Sequence, residues 1–297
     1  MLGRHHLSIS VFTVLPFIIP LFFLNTQNVL VYSIALLVAV VVGSLLPDSD
    51  CGGKPKLYYD FGIIYDLMIP IQKIVVFLFK LSGIKKRLNL QYEVNHEHRG
   101  IMHSPIGILI SSLLLTLVVL IFMLIGKFTN LITLSLIFAG LVIGQLLHIL
   151  EDSCTVSGIN WKFPFGTKEL KGRICTFEKQ EGKVDIRAGL YQNILGGFSF
   201  LLLLGFSFKL LDFSPYLIYL GITLIIIALW FFFYSLSKSG NNIWYRDKEK
   251  VMTAKRNWNR MQRNLVKNSF GSDHSHHRKK HRRKKKYRND VDWIMKV

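Results

Sequence analysis

Apolar residues in this chain come in long runs rather than in alternation. Six runs reach or nearly reach the length that crosses a bilayer, at about residues 7–24, 29–46, 105–125, 131–150, 194–211 and 216–236. The first contains Pro16 and Pro20, which a membrane helix accommodates with a kink. A seventh stretch, 67–83, is interrupted by Pro70, Lys73 and Lys80 and reads as a re-entrant or surface-lying helix. The pattern predicts an all-α integral membrane protein, a bundle of about six transmembrane helices.

Charge then orients the bundle. The chain carries 37 Lys and Arg against 18 Asp and Glu, a net +19. With six spans and both termini on one side, all of these cations except Lys127 and Lys209 fall on that side. Under the positive-inside rule that side is cytoplasmic. No cleavable signal peptide is expected, because too few residues precede the first span and no small-x-small site follows it. Cys51, Cys154 and Cys175 all fall on the reducing side, which argues against structural disulfides.

The sequence divides into a transmembrane core over 1–165, a cytoplasmic loop over 166–193 and two scaffold helices over 194–236. A basic segment covers 237–268 and a basic tail 269–297. In the loop, weak alternation around Glu181-Gly182 allows a small hairpin, either a lid or a plain connector. Trp244, Val251, Trp258 and Leu265 recur every seven residues among cations, predicting an amphipathic helix on the membrane surface. From His274 onward the composition predicts disorder. Such a tail suits anionic lipid headgroups; nucleic acid is a weaker candidate, because a folded aromatic platform is missing.

Candidate chemistry sits at the predicted helix ends. His148 and Asp152, four apart, share one helix face near the end of the fourth span. His5 and His6 open the first span, and Asp48 and Asp50 follow Pro47 at the end of the second. Before the third lies Asn95-His96-Glu97-His98-Arg99-Gly100-Ile101-Met102-His103, where Gly100 permits the bend that would let His98 and His103 converge. Ser104 and Pro105 suit the N-cap and first turn of the helix that follows. Taken singly, His5 and His6 read as interfacial, Asp48 and Asp50 as solvated loop charges, and His148 with Asp152 as helix-end packing, whereas the His96–His103 cluster is hard to explain by packing. Together, the ends of the first four spans deliver ligand-type side chains to one layer, as a metal site requires.

Four short motifs carry a resemblance: His6-Leu7, Leu46-Pro47-Asp48-Ser49-Asp50, His98 to Ser104, and Gly144 to Gly158. In this order the chain resembles the YdjM-type inner-membrane, metal-dependent hydrolases, themselves distantly similar to zinc-dependent phospholipase C. The resemblance implies metal roles for His6, Asp48, Asp50, His98, His103, His148 and Asp152, and one to three divalent ions, expected to be zinc. It departs at Cys51, where the family often has His, and at Met102, where it often has Thr. The expected function is a membrane-bound phosphoesterase acting on phospholipid or another lipid-linked phosphate, with Asp50 or Asp48 as bridge or base and Arg99 holding the phosphate. The alternative is a non-enzymatic metal-binding membrane protein, a sensor or transport component. Transport would predict ionisable groups deeper in the spans.

Overall fold

A computed structural model describes residues 3–23, 27–50, 62–81, 100–163, 168–174, 185–211 and 213–243. The expected hairpin at Glu181-Gly182, Cys51, Cys175, the amphipathic segment beyond Trp244 and the basic tail lie outside the described residues. The chain divides into one unit over Met1–Asn242 and a second over Ile243–Val297.

Seven α-helices are described: α1 (Gly3–Phe23), α2 (Val29–Leu45), α3 (Gly62–Leu81), α4 (Pro105–Ile125), α5 (Leu131–Ser153), α6 (Arg187–Ser207) and α7 (Pro215–Leu236). Two short 3-10 turns, Pro47–Asp50 and Ile101–His103, follow the end of α2 and precede the start of α4. Strand β1 (Lys168–Lys171) pairs with β2 (Gly240–Ile243) in a two-stranded sheet.

Five helices, α1 from His5, α4, α5, α6 and α7, are long and apolar enough to cross a membrane. α2, at 17 residues, stands at the lower limit of a span. Their outward faces carry Leu109, Leu113, Phe122, Phe200 and Phe231, exposed apolar side chains that suit lipid. α6 begins at Arg187, before the apolar run expected at 194. Arg187 makes this extension possible. It pairs with Asp185 and donates to the carbonyls of Arg173 and Leu236, tying the helix start to the end of α7.

Three helices place a lysine where a C′ glycine is usual. Lys127, Lys209 and Lys238 each take a left-handed conformation after α4, α6 and α7. In each case the next amide closes a six-residue turn, as in Phe128 N to Met123 O. A cation at that position also complements the negative end of the helix dipole.

α3 runs through Pro70 and buries one stripe, Met68, Gln72, Val75, Val76 and Phe79, while Lys73, Phe77 and Lys80 face outward. The stripe packs with Leu46, Ile101, Met102 and Phe163. The connector is therefore a seat for both 3-10 turns, and those turns carry site residues.

Candidate metal centre

The site begins with the crossing of α2 and α5, the most extensive helix contact among the described residues. Gly140 approaches Ala39 and Leu36, and a side chain at Gly144 would collide with the carbonyl of Val40. Gly43 fits against Leu141 in the same way. This seam of small residues lets the two backbones touch, the membrane solution to helix association. On α4's side, Gln145 accepts from Ser111 Oγ and donates to Ser112 Oγ, both at 2.8 Å.

One turn past Gly144, His148 meets the buried C-terminal end of α2. Its Nδ1 lies 2.7 Å from the carbonyl oxygen of Ser44. A carbonyl cannot donate, so Nδ1 carries the proton of this bond and Nε2 is the nitrogen left for the centre. That Nε2 is buried, has no hydrogen bond, and faces two carboxylates. A ring fixed by a backbone acceptor with the other nitrogen free is the usual dress of a ligating histidine.

The carboxylates and a second imidazole come from three other places. Pro47 ends α2 and starts the turn that presents Asp48. His103 is held by the Ile101–His103 turn, which packs onto α4 because Gly107 leaves room for the carbonyl of Ile101. Ser104 caps α4 as expected, accepting from Gly107 N at 3.1 Å, with Pro105 following it in the first turn. Asp152 lies on α5 one turn beyond His148.

Two imidazole nitrogens each approach the same two carboxylate oxygens. His148 Nε2 lies 3.5 Å from Asp48 Oδ1 and 3.8 Å from Asp152 Oδ2. His103 Nε2 lies 3.8 Å and 3.7 Å from the same two oxygens. These separations exceed hydrogen-bond lengths. They approach the roughly 3.3–3.6 Å between two ligands of one tetrahedral ion with bonds of about 2.0–2.2 Å. The two groups His103, His148, Asp152 and His6, Asp48, His148 can each hold a metal ion. The residues thus fit a divalent cation in donor type, burial and spacing.

Electrostatics agree with the fit. Burial by itself would raise the carboxyl of Asp48, but the His148 and His6 imidazoles hold it well below the usual carboxylate range. Asp48 stays ionised, and at 15% exposure it is the most open member of the cluster. Cys154 is buried nearby as a free thiol, and burial pushes it up, so it remains neutral.

His6 completes the cluster from α1. Its ring stacks on His148 with centroids 4.0 Å apart, and its Nε2 lies 3.6 Å from Asp152 Oδ1. Glu151, which the motif reading passed over, lies 2.8 Å from His6 Nδ1. His148, Glu151 and Asp152 are one arc of α5, so the i+3 spacing was the available signal. The Ser44 carbonyl was also missed, and a backbone acceptor has no residue signature. His5 is half-buried and belongs to neither metal-compatible group. Asp50 ends the turn after α2, but its side chain lies outside the described residues, as do His98 and Arg99.

Comparison with known proteins comes to one family. The model of the YdjM inner membrane protein family matches residues 1–240, and the chain belongs to that family. No curated protein and no solved structure matches it.

Proposed function

From that membership we propose that the protein is a membrane-bound, metal-dependent hydrolase of the phosphoesterase type, acting at the cytoplasmic surface on phospholipid or another lipid-linked phosphate. The observation that carries the reading is the quartet of 3.5–3.8 Å separations among buried imidazole nitrogens and carboxylate oxygens. Asp48, Asp152, His103 and His148 would hold the ion, with His6 at its edge. Two nitrogen and two oxygen donors suit zinc. Such an ion lends Lewis acidity to a phosphoryl oxygen and lowers the pKa of water.

The remaining roles belong to this chain's own groups. Asp50, two residues from Asp48, would serve as bridge or base, and Arg99 would clamp a phosphate bidentately. The cluster lies at the ends of apolar helices, the level of lipid headgroups, and Asp48 is its open side. The multi-pass topology with both termini cytoplasmic, and contact of the basic tail with anionic lipid, belong to the same proposal.

The test uses full-length protein in detergent, comparing wild type with His148→Ala. Wild type is expected to carry zinc and to release phosphate from lipid substrates; the variant should lose at least tenfold in both. Zinc binding without turnover on any lipid phosphate would instead identify a non-enzymatic metal-binding membrane protein.

A further inference from the structure

Glu151 is fully buried at the end of a membrane helix, where an isolated carboxylate is costly. Its two oxygens face different partners. Oε1 accepts from Ser10 Oγ at 3.4 Å, and Oε2 lies 2.8 Å from His6 Nδ1, at hydrogen-bonding distance but without the alignment of a full bond. The other nitrogen of His6 looks toward Asp152. His148 has the same arrangement with the Ser44 carbonyl in place of Glu151. Two stacked imidazoles thus each have Nδ1 against an oxygen acceptor and Nε2 toward the carboxylates.

We infer that Glu151 is the positioning residue of His6: it takes the Nδ1 side of the ring and thereby turns Nε2 to Asp152 and the centre. Glu151 is not itself a ligand. Ser10 holds the second oxygen and keeps the carboxylate from swinging toward the ion. This rests on the metal centre proposed above and names a residue to which the resemblance gives no metal role.

Zinc titration of the full-length protein in detergent tests it, with wild type, Glu151→Leu, Glu151→Gln, His6→Ala and the His6→Ala/Glu151→Leu double variant. Glu151→Leu should weaken zinc binding by about 10–100-fold, the usual effect of removing a partner behind a ligating histidine. Glu151→Gln, whose amide oxygen can still accept from Nδ1, should return to within a few-fold of wild type. In the His6→Ala background, Glu151→Leu should cost nothing more, because a residue that acts through His6 has no effect without it. A Glu151→Leu protein that binds like wild type overturns the inference, and so does a loss that persists undiminished in the double variant. A wild type that binds no zinc removes the centre itself, and the inference with it.

Discussion

Along the crossing of α2 and α5, Ala39, Gly43, Gly140 and Gly144 bring backbone against backbone. α6 and α7 meet differently, through rings: Tyr191 stacks on Phe233 at 4.0 Å and meets the edge of Trp230 at 5.4 Å. The first crossing carries His148 and Asp152 and touches Asp48; the second carries no member of the cluster. The contrast follows from what each half must hold. Imidazole nitrogens held 3.5–3.8 Å from carboxylate oxygens need helices whose spacing cannot drift, and direct backbone contact provides that. Aromatic rings fill space and add contact area, which suffices where nothing has to be positioned finely.

The comparison breaks most sharply at Gly144→Val. The new side chain would run into the Val40 carbonyl and Gly43, forcing the helices apart and pulling His148 from Ser44. Expected are a loss of about 3 kcal/mol or more in unfolding free energy, seen as a lower melting temperature in detergent, and loss of zinc binding. A variant that melts and binds like wild type would show that the seam does not set the centre. Gln145→Leu should act more gently. It removes hydrogen bonds to Ser111 and Ser112, for about 1 kcal/mol by the same melt, while zinc affinity changes by no more than a few-fold. Tyr191→Phe is the smallest change. Its hydroxyl is buried and has no hydrogen bond among the described residues, so stability should shift by less than about 0.5 kcal/mol. Loss of zinc in that variant would move part of the centre into the aromatic half.

Much of this contrast was legible in the residues. Long apolar runs foretold the helices, and Lys and Arg placement predicted that His5 and His6, Asp48 and Asp50, His98 and His103, and His148 and Asp152 would share one end of the bundle. Of these, His6, Asp48, His103, His148 and Asp152 are the described members of the metal-compatible groups. The structure does bring those side chains together. Other features were hidden for physical reasons. The start of α6 at Arg187 depends on an ion pair and two carbonyls that hydropathy does not register. Glu151 resembled any solvated helix-end charge until its neighbour turned out to be His6. The stripe on α3 was visible as amphipathic, but its partner surface, the two ligand-bearing turns, depends on tertiary packing.

One contact gives the centre an unusual form of protection. The group that selects the protonation form of His148 is the peptide oxygen at position 44, which every amino acid possesses. Replacing that residue cannot delete it. Only sliding or tilting one rod relative to the other can, so mutations that disarm this imidazole indirectly should cluster at the interlocking glycines rather than around the ring itself.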